Sequence, residues 1–182
     1  MKVISGKYKG RTLEGFDMIG TRPTMDRVKE SLFAMIQTTI PNRIVLDLFS
    51  GSGNLGIEAL SQGASFSYFV DYQRKAVQTI ERNLSRIGIA EAKVFCMDYQ
   101  KALIMFSSEN ISFDIIFLDP PYRTDYIEKS IALIDEKDLL NEKGLLICES
   151  DSLDKMIYSS HFQVVKEKKY GDKYIVILQK TC

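Results

Sequence analysis

Two rhythms of apolar and polar positions take turns along this chain. Short, nearly continuous apolar runs cover Ile44-Val45-Leu46-Asp47-Leu48-Phe49, Ser67 to Asp71, Val94 to Asp98, Phe113 to Leu118 and Gly144 to Ser150. Runs of that length read as strands buried on both faces. Between them the apolar residues fall at helical spacing: Val28, Leu32, Met35 and Ile36; Leu55, Ala59 and Leu60 within 54–62; Val77, Ile80, Leu84 and Ile87; Ile127, Ile131 and Ile134. Thr24 is placed to cap the first of these helices, with Asp26 in its first turn, and Asp125 with Glu128 resembles a capping pair for the last. Strand and helix in alternation predict an α/β protein on a parallel sheet. Phe162 to Lys169 and Tyr174 to Gln179, joined by Tyr170-Gly171-Asp172-Lys173, predict a hairpin, so the sheet should finish antiparallel. Val3-Ile4 and Thr12-Leu13, linked through Gly6 and Gly10, predict a second, smaller hairpin at the start.

Length and charge refine this outline. The 182 residues suit one domain, with residues 1–20 as a basic hairpin extension. No apolar run is long enough to span a bilayer, and the opening residues lack the apolar segment of a secretory signal, so a cytoplasmic protein is expected. Cys96 and Cys148 lie inside apolar runs and Cys182 ends the chain; they read as buried thiols, and no metal site is expected. His161 reads as a surface or turn histidine. The formal net charge is zero. Residues 1–13, however, hold Lys2, Lys7, Lys9 and Arg11 and no acid. Such an arm supplies phosphate contacts in a nucleic-acid binder and is merely a solvated hairpin otherwise.

Gly51-Ser52-Gly53-Asn54-Leu55-Gly56 follows a strand and opens a helix, and Asp71 ends the next strand about twenty residues on. Nominally this is a dinucleotide fingerprint, although its physics suits any nucleoside cofactor. Three features favour S-adenosylmethionine over NAD. Asp47 lies where it would repel a pyrophosphate but suit an ammonium or sulfonium. Asp98, a third acidic strand end, suits an adenine amino group, with Tyr72 or Tyr99 beside the ring. The terminal hairpin replaces the parallel sixth strand of a dehydrogenase domain. The cofactor contacts expected are Asp47, Gly51, Ser52, Gly53, Asp71, Tyr72, Asp98 and Tyr99.

Asp119-Pro120-Pro121-Tyr122 is the sharpest signal. Two prolines after an apolar strand stiffen the turn and fix the Pro120 carbonyl beside the Asp119 carboxylate. Both groups accept, and an amino group offers two N–H donors. A ring-conjugated amine is a poor nucleophile. Held on two acceptors, its nitrogen can pyramidalise toward an activated methyl group, and positioning of this kind is worth about 7–11 kcal/mol. Tyr122 can stack on the base.

With these segments the chain resembles the class I N-methyltransferases and, more narrowly, the bacterial 16S ribosomal RNA guanine-N2 methyltransferase family. The resemblance covers essentially the whole chain. It is carried by residues 4–11, Arg22-Pro23-Thr24-Met25-Asp26-Arg27-Val28-Lys29-Glu30, the segment from Asp47 to Ser61, and Asp119 to Tyr122. It implies a Rossmann-like, mostly parallel sheet, S-adenosylmethionine as cofactor, and catalysis at Asp119, Pro120, Pro121 and Tyr122. It also implies ribosomal RNA as partner, within a small-subunit particle, and an RNA surface on Lys7, Lys9, Arg11, Arg22 and Arg27. Adenine-N6 methylation of DNA or RNA is the alternative, with an NAD-dependent oxidoreductase behind it. Two departures bear on affinity. Lysines stand at 7 and 9 where relatives often carry arginine, and Asp71 is shorter than the usual glutamate.

Overall fold

A computed structural model describes residues 1–15, 23–122 and 124–181, without the side chains of residues 23–25. The five apolar runs form strands whose ends differ from expectation by a few residues: β1 (Ile44–Asp47), β2 (Phe66–Asp71), β3 (Ala92–Cys96), β4 (Phe113–Leu118) and β5 (Leu140–Ser150). Two further strands, β6 (Phe162–Tyr170) and β7 (Lys173–Lys180), complete a seven-stranded sheet of order β3-β2-β1-β4-β5-β7-β6. The first five strands pair in parallel; β7 runs antiparallel to both β5 and β6. The terminal hairpin is therefore as expected. Its turn is Gly171-Asp172, with Gly171 at φ 58°, the positive φ that a primed hairpin turn requires at its first position.

Among the described residues five α-helices cover the sheet: α1 (Pro23–Ile36), α2 (Asn54–Ser61), α3 (Arg74–Ile87), α4 (Tyr99–Ser108) and α5 (Tyr126–Glu136). Successive strand residues feed opposite layers. Val45, Ile115 and Ile147 pack with α1 to α3, whereas Leu46, Ile116 and Cys148 pack with α4 and α5. Burial on both faces is why these strands are continuously apolar rather than alternating. Among the described residues no helix is long and apolar enough to cross a membrane.

Several local expectations need correction. α4 is not among the helices that the periodicity predicts. Its buried residues Tyr99, Ala102, Leu103 and Phe106 do keep helical spacing, but the exposed Ile104 beside them blurs the stripe. Asp125 occupies the N-cap position of α5 without making a capping bond; its carboxylate pairs instead with Lys129 at 2.6 Å. α1 begins at Pro23, one residue before the expected cap, a position where proline loses no helix bond. The cap expected of Thr24 falls where no side chain is described. Cys148 is buried, and burial pushes its thiol up. Cys96 is exposed at the end of β3, the edge strand of the sheet. Cys182 lies outside the described residues. His161 is exposed, with Nδ1 2.9 Å from Asp135 Oδ1.

Candidate active site

The glycine turn leaves β1 at the carboxyl edge of the sheet. Ser50 ties it to β2: its backbone N–H donates to the Val70 carbonyl at 3.0 Å, and its hydroxyl accepts from Val70 N–H at 2.9 Å. Gly51 takes φ 55°, and a Cβ there would meet only open space, so the backbone is bare on the side a ligand would approach. Gly53, at φ 80°, is the N-cap of α2. Gly56 is needed for packing, since a Cβ would stand 2.3 Å from the Phe69 ring. Ser52 is buried, and its carbonyl accepts from Asn83 at 3.0 Å.

Two carboxylates hold this turn. Asp47 is buried and accepts from Gly56 N–H at 3.0 Å. Burial, opposed by that bond and helped by Asp71, raises its pKa to about 7. Asp71 accepts from Gly51 N–H and Gln73 N–H, each at 2.9 Å, and burial raises it as well. Asp98 does something the sequence pattern did not suggest: one of its oxygens caps α4, accepting from Gln100 and Lys101. The tyrosines considered for the adenine differ in setting. Tyr72 is 66% exposed, whereas Tyr99 is buried against Phe49 and Tyr126, with ring centroids 5.3 and 5.0 Å away. Phe49 and Tyr126, absent from the expected set, stack nearly parallel at 6.0 Å and extend an aromatic wall beside the glycine turn. A phenylalanine two residues before the first glycine was the available signal. Burial raises the Tyr99 phenol to about 12, so it remains a neutral wall residue.

The Asp-Pro-Pro-Tyr corner leaves the neighbouring strand at the same edge. Asp47 pairs in register with Phe117, and Leu48 N–H donates to the Phe117 carbonyl at 3.2 Å. Asp119 therefore emerges two residues beyond the point where β4 touches the root of the glycine turn. It is partly buried, and its carboxyl is held well above the usual range by burial and by the negative charges of Glu149 and Asp47, against the opposing charge of Lys173. Tyr122 is 44% exposed and donates its hydroxyl to Glu149 Oε1 at 2.9 Å. Lys173 donates to the same oxygen at 2.5 Å, and its ammonium lies over the Tyr122 ring, 5.1 Å from the centroid. Neither Glu149 nor Lys173 was expected here. The pairing that unites them is between strands that neighbour in the sheet but are separated by β6 in sequence, and the antiparallel return of β7 makes it.

The N-terminal hairpin forms as expected but is sparsely laddered, with one bridge, Lys2 to Thr12. Most of its anchorage comes from α2. Ile4 and Ser5 N–H donate to the Glu58 carboxylate at 2.9 and 3.0 Å, Lys7 N–H to the Ser61 carbonyl at 2.7 Å, and Tyr8 N–H to Ser61 Oγ at 2.9 Å. Buried Lys29 reaches Glu58 at 3.0 Å, Asn54 at 2.7 Å and the Lys2 carbonyl at 2.8 Å. Asn83 joins the Glu14 backbone to Ser52. Lys7, Lys9, Arg11 and Arg27 are exposed; Arg22 lies outside the described residues. The hairpin tip meets the last residue of α2, so Lys7 and Lys9 stand roughly 12 Å of helix rise away from the glycine turn.

The family model described as Conserved hypothetical protein 95 matches residues 1–179. YlbH of Bacillus subtilis (strain 168), provisionally named an rRNA methyltransferase, is 44% identical over 152 residues, 83% of each chain. Ribosomal RNA small subunit methyltransferase D of Escherichia coli (strain K12) is 33% identical over 151 residues, which is 83% of this chain and 75% of that one. Among solved structures, yhhF from Escherichia coli, provisionally named a methyltransferase, superposes with a TM-score of 0.90 at 29% identity, covering 100% of this chain and 98% of its own.

Proposed function

This chain belongs to the Conserved hypothetical protein 95 family, and from that premise and the geometry of its carboxyl edge we propose that it is an S-adenosylmethionine-dependent methyltransferase acting on the exocyclic N2 amine of a guanine in small-subunit (16S) ribosomal RNA. The observation that carries the reading is the juxtaposition of two corners. The glycine turn and Asp119-Pro120-Pro121-Tyr122 leave adjacent, hydrogen-bonded strands at one edge. The names of the relatives support the RNA class of substrate.

The residues present fit the cofactor. Gly51 opens onto free space, Asp71 suits ribose hydroxyls, and the wall of Phe49, Tyr99 and Tyr126 suits an adenine; Asp98 and Tyr72 are further proposed contacts. Asp47 argues against a dinucleotide. Its carboxylate already accepts from Gly56 N–H in the first turn of α2, using the positive helix end that a pyrophosphate would need. When bound, S-adenosylmethionine supplies an electrophilic methyl group on a sulfonium. The chain's own residues do the rest. The Asp119 carboxylate and the Pro120 carbonyl accept the two amine N–H bonds and aim the nitrogen lone pair. Asp119 would stabilise the positive charge that collects on that nitrogen when the methyl leaves the sulfonium sulfur for it, and would take the departing proton. Tyr122, at the exposed rim, provides the platform for a base drawn out of its stack. Lys7, Lys9, Arg11, Arg22 and Arg27 form the RNA-contacting surface, and the small-subunit particle is the proposed form of the substrate.

The test is methyl transfer from labelled cofactor to small-subunit particles isolated from cells lacking this protein, followed by nucleoside analysis of the RNA. N2-methylguanosine is the expected product. Methyladenosine would transfer the reading to the sister base, and no incorporation into any RNA by a protein that binds the cofactor would end it. Asp119→Ala is expected to lower kcat by about 100-fold or more, through lost positioning and charge stabilisation, with cofactor binding retained.

A further inference from the structure

Glu149 and Lys173 have no part in the chemistry above, yet they are built around Tyr122. Glu149 pairs in register with Ile175 on β7, and Lys173 shares the side of that strand with Ile175 two residues away. Lys173 is thus the diagonal neighbour of Glu149, within reach of a long side chain. The antiparallel strand delivers it to the carboxyl edge, where Leu118 pairs with Cys148 and so sets Asp119 next to Glu149. Glu149 Oε1 receives both the Tyr122 hydroxyl and the Lys173 ammonium, and that ammonium covers one face of the ring.

Building on the methyltransferase reading, we propose that Lys173 is a positioning residue for methyl transfer: together with Glu149 it fixes the Tyr122 ring on edge and occupies one of its faces, leaving the other for the substrate base. A tyrosine at the rim of a loop would otherwise rotate freely, and ordering it in advance lowers the entropy lost when a base stacks on it. The ammonium also polarises the ring from behind through a cation–π contact. A second consequence is electrostatic. The charged groups facing Asp119 are Glu149 from β5, Asp47 from β1 and Lys173 from β7, with the Tyr122 hydroxyl from its own loop. Among the described residues Lys173 is the cation of this set. Burial is the largest single influence and works against its charge, but Glu149 and Tyr122 together outweigh it and hold the ammonium above the ordinary lysine range. Lys173 therefore favours an ionised Asp119 beside two other carboxylates.

The experiment compares wild type, Lys173→Met, Lys173→Arg and Glu149→Gln in the full chain, with S-adenosylmethionine and unmethylated small-subunit particles. Lys173→Met is expected to lower kcat by 10- to 100-fold with calorimetric S-adenosylmethionine affinity within twofold of wild type, and Lys173→Arg to recover most of that loss. The acid limb of the kcat/KM profile separates positioning from general support of the fold. Removing the cation raises the Asp119 pKa, so the limb in Lys173→Met moves to higher pH. Removing the anion in Glu149→Gln moves it to lower pH. Opposite displacements support the proposal. Unchanged kcat and unchanged limbs, or both limbs moving the same way, overturn it. If Lys173→Met does not fold, the Glu149→Gln limb and the activity of Lys173→Arg decide alone. A wild type that binds cofactor but methylates no RNA would instead sink the underlying reading, and a carboxyl NMR titration of Asp119 in the same variants would still test the charge arrangement.

Discussion

Asp47 is where the cost of a buried charge can be read most directly. Its folded pKa of about 7 lies above the 3.8 of an exposed aspartate. Below the lower value both folded and unfolded states hold the proton, and nothing is lost. Between the two, the unfolded chain releases it while the folded chain keeps it, so stability falls as pH rises; above about 7 the full penalty applies. Replacing Asp47 by Asn removes that dependence. The gain at pH 8 should be about 1–3 kcal/mol, because the buried amide then needs an acceptor of its own. Denaturant unfolding at pH 5 and pH 8 checks it: the variant should gain at pH 8 and not at pH 5. The cofactor makes the opposite demand. Its sulfonium and ammonium favour the ionised carboxylate, so S-adenosylmethionine should bind more tightly as pH rises through about 7, with proton release, and Asp47→Asn should abolish that trend in calorimetry. Asp119 separates acceptor from charge in the same way. Asp119→Asn keeps an oxygen for one N–H and loses the negative charge, so its kcat should fall between wild type and Asp119→Ala, and its acid limb should disappear.

The elements show how far local pattern reaches. Strands buried on both faces and the stripe of α3 were legible because each is written in one contiguous segment: Val77, Ile80, Leu84 and Ile87 all face the core. α4 escaped because the run from Ala102 to Phe106 is apolar almost throughout, so its period is hidden until Asp98 is recognised as its cap. The geometry of the candidate site was legible to the same degree. Asp47, Gly51, Asp71, Asp98 and Asp119 lie at strand ends or on turns and come together because a parallel sheet gathers its carboxyl ends. Glu149 and Lys173 could not be read in advance, since one ends a parallel strand and the other begins an antiparallel one, and no spacing links them. The hairpin was visible, but its seat on α2 was not. Gly6 illustrates this. It reads as a turn residue, yet a Cβ there would fall 1.8 Å from the Ser61 carbonyl oxygen, and its φ is +83°. Gly6→Ala should therefore unseat the arm, lowering stability by about 1–3 kcal/mol. RNA affinity should fall with it, while S-adenosylmethionine affinity stays within twofold. Loss of cofactor binding as well would mean that Lys29 and Asn83 carry the disturbance into the glycine turn.

At the scale of the whole molecule, the charge is balanced and unevenly spread. A net charge of zero gives no long-range attraction for a polyanion. On the proposed reading, RNA binding then comes from a small set of cations. Lys7, Lys9 and Arg11 sit on an arm fastened along α2, Arg27 is on the exposed side of α1, and Arg22 lies between them in sequence. The arm is fastened to the helix that the glycine turn opens, so on this reading RNA held at its tip has roughly 12 Å of helix rise to cross to the glycine turn. Five phosphate contacts at most predict a log–log salt dependence with a slope of about −4, shallow for a nucleic-acid enzyme. Replacing Lys7 and Lys9 together by Ala should reduce the slope by about 1.5 and weaken binding of any RNA of similar length to the same extent, because phosphate contacts carry no sequence information. The kcat at saturating RNA should barely change, since neither lysine approaches the reacting atoms. Filter binding between 50 and 200 mM salt measures the slope. A slope near −8 would show that lysines beyond the arm also contact RNA, and β6, with Lys166, Lys168 and Lys169 along the free edge of the sheet, is where they would be found.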